Sequence, residues 1–220
     1  MAKDNKGYSY DVFISYPHGA TKMAMWVEHI FLSHFTDCLT ESVGRTARVY
    51  FDKHYINPGD KWEWQFKTAL AETRILVPIW SIKYFLSLYC RAELAVMLHR
   101  QERLGYGQTG GLIVPVRIWG SNSNRFPEIA QQIEPLECGS YGNLRTDSDS
   151  SQLQRFEDHI AQWVPNLAAK IDSVPFCDPE WNQSQWLDDP INRIEETKIL
   201  WPPKEKEYFG VPSIGWGEDK

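Results

Sequence analysis

Hydrophobic positions along this chain switch repeatedly between continuous runs and helical spacing. Residues 11–16 (DVFISY) are a β-branched and aromatic run ended by Pro17-His18-Gly19, which predicts a buried strand opening into a loop. From 21 to 40, Met25, Trp26, Ile30, Phe31, Phe35, Cys38 and Leu39 recur at helical spacing, and Gly44 supplies a stop. A second strand is predicted at 47–51, followed by a loop over 52–60 whose Pro58-Gly59 suits a tight turn. Asp60 then caps a helix over 61–73 that buries Trp62, Phe66, Ala69 and Leu70. Residues 74–80 (RILVPIW) are apolar almost throughout, as in a strand covered on both faces. A helical region over 81–104 presents Leu88, Ala92, Ala95, Val96 and Leu98 as its apolar face. A fourth strand at 110–119, a short helix at 127–133 and a fifth strand at 136–139 follow. The pattern closes with a helix at 151–171, its Leu153, Phe156, Ile160, Trp163 and Leu167 inward and Pro165 marking a kink.

Strand alternating with helix five times predicts an α/β fold, a flavodoxin-like five-stranded parallel sheet with helices on both faces. Ligands of such sheets bind outside the C-terminal strand ends, at a switch in strand order. That nominates the loop after Tyr16, the loop after Phe51 and the start of the helix after Trp80. Residues 172–220 break the alternation and hold Trp181, Trp186, Trp201 and Trp216 among prolines. A disordered tail is poor in aromatics, so this extension is expected to strap across the domain or dock on a partner. The division is thus a domain over 1–171 and a Pro/Trp-rich extension over 172–220.

Composition narrows the function. A net charge of -6 and the absence of a basic stripe argue against nucleic acid as a partner. The polar opening lacks the apolar core of a signal peptide, and no apolar run is long enough for a bilayer, so a cytoplasmic protein without membrane contact is expected. Four scattered cysteines without a C-x-x-C pair predict reduced thiols and no metal site. His18 and His54 lack partners at catalytic or metal spacing and read as loop residues. There is no G-x-G-x-x-G and no P-loop, so a dinucleotide here is a substrate and no cofactor is held.

Three segments, in order, resemble the TIR domain family. Tyr10-Asp11-Val12-Phe13-Ile14-Ser15-Tyr16 resembles its opening strand. Phe51-Asp52 with the loop ending Asn57-Pro58-Gly59-Asp60 is similar to its BB loop. Tyr84-Phe85 through Leu88-Tyr89-Cys90-Arg91-Ala92-Glu93-Leu94 resembles its Ser-aromatic…Trp-Cys-x-x-Glu-Leu segment, with Tyr89 replacing the usual Trp. The resemblance covers about residues 8–171. Some TIR domains only assemble signalling complexes; others hydrolyse or cyclise NAD⁺, and the glutamate matching Glu93 chiefly separates them. The resemblance therefore implies an NAD⁺ glycohydrolase or cyclase of the small standalone bacterial kind. Such a protein acts as an immune or anti-phage effector or messenger-maker, with a companion sensor or effector protein.

Cleaving the nicotinamide–ribose bond passes through an oxocarbenium-like state, and the leaving group is already cationic, so no general acid is required. A carboxylate facing that charge, and gripping the ribose hydroxyls, gives the differential stabilisation catalysis needs. Glu93 is assigned that role. Tyr89, one turn earlier on the same face, either stacks on substrate or packs in the core. Ser15 and Tyr16 are expected to line the floor, with Phe51, Asp52 and Trp62 as further substrate contacts. For Trp62 the competing reading is core packing, and for Asp52 it is bracing of the loop. Asn57, Pro58, Gly59 and Asp60 are assigned to an assembly loop through which copies self-associate, into filaments if the contact is head-to-tail. The alternative function is a non-enzymatic adaptor working by homotypic contacts. A phospho-receiver is disfavoured, because Trp80-Ser81 stands where its aspartate would follow the third strand.

Overall fold

The computed structural model describes residues 3–17, 22–51, 62–106, 111–118, 126–145, 148–178 and Trp181, with backbone alone at 62–66. Among these, the elements are β1 (Tyr10–Ser15), α1 (Lys22–Trp26), a π-helical turn (Val27–Phe31), α2 (Leu32–Val43) and β2 (Val49–Phe51). They continue with α3 (Trp62–Ala71), β3 (Thr73–Trp80), α4 (Ile82–Leu86), α5 (Leu88–Arg103), β4 (Val116–Arg117), α6 (Glu128–Gln131), β5 (Leu136–Glu137) and α7 (Ser150–Ser173). The sheet order is β2-β1-β3-β4-β5, and every pairing is parallel. The predicted flavodoxin-like α/β fold is the fold observed.

Register fixes the site end of the sheet. Ile14 pairs with Phe51 on one side, and Ser15 pairs with Pro78 on the other. The side chains at the ends of β1, β2 and β3 therefore converge on one edge. Every residue of β3 is buried, as the continuous apolar run required. One layer packs α2 against α7, where Phe35 meets Trp163, and the last residue of α1, Trp26, meets Phe156 of α7 edge-on. Helix α5 packs on β3.

The sequence reading misplaced several boundaries, each for a local reason. The expected helix over 81–104 is two helices: Ser87 turns extended and its hydroxyl accepts the Cys90 N–H, so it ends α4 and caps α5. Leu88, expected inward, is 44% exposed at that break. Met25, which shares the helical spacing of residues 21–40, is 58% exposed because the π turn beyond it shifts the helical phase. The strand expected at 110–119 shrinks to Val116–Arg117 plus a single bridge from Ile113 to Leu76, since Pro115 has no N–H for the ladder. Pro165 lies within α7 without ending it.

Opposite the site edge, the chain ends of the described body are stitched together by charge. The Asp11 carboxylate takes both guanidinium nitrogens of Arg45 at 2.7 Å and the Arg48 N–H at 2.9 Å. Asp4 binds Arg48 at 2.6 Å and Arg74 at 2.5 Å. Burial pushes both carboxyls up, but these donors outweigh it and hold them below the usual carboxylate range. Arg100, buried, lies over the rings of Tyr8 and Trp181, 5.2 and 5.6 Å from their centroids. Beyond α7, Tyr8 donates to the Pro175 carbonyl and the Cys177 N–H to that of Lys6. Residues 182–220 of the extension lie outside the described residues.

Candidate active site

Helix α5 begins beside the C-terminal end of β1, and one hydrogen-bonded chain ties the two together. Ser15 Oγ donates to the Tyr84 hydroxyl at 3.0 Å, which donates to the Cys90 carbonyl at 3.0 Å. Ser15, Tyr84 and Cys90 are all essentially buried. Tyr84 is itself set by the N-cap of α4, where its N–H bonds to Ser81 Oγ at 3.1 Å. Glu93, one turn beyond Cys90, is 5% exposed on a helix whose neighbours Ala92, Leu94 and Ala95 are buried apolar residues. Its charge reaches the same cluster. Burial pushes the Tyr84 phenol and the Cys90 thiol well up, and the Glu93 carboxylate adds to both shifts. A thiol so disposed stays protonated, which removes Cys90 from consideration as a nucleophile.

A second group adjoins through β1 and β2. The Tyr16 ring stacks on Phe51 at 5.4 Å between centroids and 9° between planes, and its hydroxyl donates to Glu28 Oε1 at 3.2 Å. Phe51 is partly exposed and Tyr16 is buried beneath it. Of the sequence-nominated residues, Ser15 thus joins the Glu93 cluster through Tyr84, and Tyr16 joins Phe51. Tyr89 lies one turn before Glu93 but is 51% exposed, so the core-packing reading of that ring is overturned. Asp52, Asn57, Pro58, Gly59 and Asp60 lie outside the described residues, as do His18 and His54. For Trp62 only the backbone, at the start of α3, is described.

Sequence reasoning missed Tyr84 and Glu28 as members of the site. Tyr84 stood in the third motif, but nothing in spacing tells that a tyrosine hydroxyl spans from a strand end to the next helix.

A family model described as "TIR domain" matches residues 12–164. The chain belongs to the TIR domain family. The match embraces all five strands beyond the first two residues of β1, and both the Ser15–Tyr84–Cys90 chain and Glu93 fall within it. Among solved structures, the chain resembles the TIR domains in a structure of the activated Roq1 resistosome directly recognizing the pathogen effector XopQ. That pair is 21% identical over 72% of this chain and 84% of the other, with a TM-score of 0.36. No curated protein matches the chain. No described helix of this TIR domain is long and apolar enough to cross a membrane.

Proposed function

We propose that this TIR domain splits NAD⁺ at the nicotinamide–ribose bond, as a glycohydrolase or cyclase, with Glu93 as the catalytic residue. The observation that carries the reading is a carboxylate held at 5% exposure beside the strand-end cluster of Ser15 and Tyr84. Burying a charge at such a position is costly, and a buried ionisable group at the C-terminal ends of parallel strands lies where such folds place functional groups. In the reaction, the C–N bonding pair leaves with nicotinamide and neutralises its ring. The ribose C1 left behind carries positive charge, which the Glu93 carboxylate stabilises. Water then attacks C1 and loses a proton, giving ADP-ribose; attack by the substrate's own adenine gives a cyclic product instead. Tyr16, Phe51, Asp52, Trp62 and Tyr89 are proposed to contact the dinucleotide.

At 5% exposure Glu93 is closed to a dinucleotide, so turnover requires an opening step. We assign that step to self-association through the loop 53–60, with filaments as the extended form, and place the protein in immune or anti-phage signalling with a companion sensor. The alternative, an adaptor without catalysis, draws support from the exposed apolar residues Leu86, Leu88 and Tyr89 around the α4–α5 break. Incubating concentrated protein with NAD⁺ and following nicotinamide and the nucleotide product by mass spectrometry separates the two. Release of nicotinamide supports the enzyme; intact NAD⁺ with an assembled protein supports the adaptor.

A further inference from the structure

A cavity of about 660 Å³ opens between α1, the π turn and the loop that leads into α7. Its wall is formed by Lys22, Met25, His29 and Ile30 from the first segment and by Leu144 and Arg145 from the second. It lies apart from the Glu93 cluster, whose residues do not line it.

Three independent features mark it as built. The first is the π turn itself. Its surplus residue widens the helix over Val27–Phe31, keeps Ile30 buried and turns His29 outward onto the cavity. Such bulges recur at functional sites because they re-aim side chains at a cost in hydrogen-bond geometry. The second is the fixed opposite wall. The Trp26 indole donates to the Tyr141 carbonyl at 2.8 Å, and Leu144 N–H bonds to the same carbonyl at 3.0 Å. Arg145 is pinned on its backbone by Ser148, whose hydroxyl accepts its N–H at 2.8 Å and whose own N–H returns the bond at 3.0 Å. The third is charge. In a chain of net charge -6, this wall carries Lys22 and Arg145, with the His29 imidazole beside them, and no carboxylate among its described residues. Two acids near it in sequence are engaged elsewhere: Glu28 accepts from Tyr16, and Asp149 caps α7 by accepting the Ser151 N–H at 2.8 Å.

From this geometry we infer that the cavity is a second, separate ligand site, for a phosphorylated small molecule of nucleotide size carrying a flat apolar part. The volume sits within the range of small-molecule pockets. Lys22 and Arg145 supply charge-assisted bonds to a phosphate, with Arg145 presenting the planar fork that matches two phosphate oxygens. Met25, Ile30 and Leu144 give an apolar bed, and the polarizable Met25 thioether, 58% exposed, suits the face of a base. The site needs no catalysis at Glu93 and stands whether or not the domain cleaves NAD⁺.

Calorimetric titration of the full chain, carrying Glu93→Gln so that nothing is turned over, tests it with AMP, adenosine and inorganic phosphate as probes. AMP is expected to bind at least tenfold more tightly than either fragment. Lys22→Ala and Arg145→Ala, both at exposed positions, should each weaken AMP by roughly tenfold, the size of one hydrogen bond to a charged group. Arg145→Lys should recover part of the loss, and Met25→Glu should weaken AMP while leaving the fold intact. AMP binding that is undetectable at millimolar concentration, equal to that of a fragment, or unchanged in the Lys22→Ala/Arg145→Ala double variant overturns the inference.

Discussion

Ser15, the last residue of β1, donates its hydroxyl to that of Tyr84 in the helix after β3, across a distance of 3.0 Å. This contact couples the strand that ends at the candidate site to the helix pair that carries Glu93. Removing the Tyr84 hydroxyl leaves a buried serine hydroxyl without this acceptor and takes the side-chain donor from the Cys90 carbonyl. Tyr84→Phe is therefore expected to cost about 1–3 kcal/mol of stability. It should also lower nicotinamide release, since the start of α5 loses its tie to β1. Thermal melts and turnover measured on the same preparation check both parts; a variant unchanged in either respect contradicts the coupling.

Glu93→Gln keeps the shape of the side chain and removes its charge. Turnover should fall by roughly two to three orders of magnitude, the usual loss for one electrostatic stabiliser, while the fold and NAD⁺ affinity persist. Initial rates of nicotinamide release, with binding measured separately, test this. A folded variant with near-normal turnover disproves the assignment.

The ion-pair network opposite the site predicts the acid limb of stability. Asp4 and Asp11 are held below their unfolded values in the folded chain. Their contribution is thus fully present above about pH 4, the unfolded carboxylate range, and is lost as pH falls through the lower folded values. The melting temperature should drop steeply below that range. Asp11→Asn should flatten the slope and cost roughly 2–3 kcal/mol at neutral pH, toward the low end for breaking a buried pair because Arg45 is partly in water. Melting temperatures recorded across the acid range for both proteins decide the matter.

Self-association predicts that specific activity climbs more steeply than in proportion to protein concentration until assembly saturates. Leu88→Glu, at a site 44% exposed, adds charge to the apolar surface of the α4–α5 break and should suppress that climb without unfolding the chain. Gly59→Pro, in the loop assigned to assembly, should do the same by restricting the turn. Activity that stays flat from dilute to concentrated protein, measured alongside light scattering, rejects gating by assembly.

Trp181 stacks on His99 and lies over Arg100, at 3% exposure. Trp181→Ala should destabilise the domain by about 3 kcal/mol, as large aromatic truncations in cores do. An unchanged denaturant midpoint would mean that the segment after α7 adds nothing to the body.

The alternation of apolar runs and helical spacing made the five-stranded parallel order legible, because a parallel sheet buries whole strands and its crossover helices keep a 3.6 period. The first and third motifs were legible too, through resemblance, and the structure joins the elements that carry them through Tyr84. What escaped were features set by three-dimensional partners. Serine 87 reads like any polar residue within a helix until its extended backbone shows it capping the next one. Arg74 and Arg100 carry no sequence mark of their surroundings, yet both are buried, bonded to Asp4 and backbone carbonyls and set against aromatic faces. The π turn has no compositional mark, so the helical spacing that includes Met25 does not reveal that its side chain stands in solvent.

That turn also offers an unusual experimental handle. A helical residue advances the chain by about 100° around the axis, and the bulge between Trp26 and Leu32 holds one residue more than regular winding would use. Excising a single residue there would let the helix close to ordinary geometry while α2 stayed seated against α7. The segment on its N-terminal side would then keep nearly its present orientation, with Lys22 and Met25 still facing Arg145, while the re-aimed position of the bulge is lost. A deletion there thus removes the outward aim that the bulge gives His29 and leaves the charged and apolar ends of the wall in place, which makes it a probe of the bulge alone.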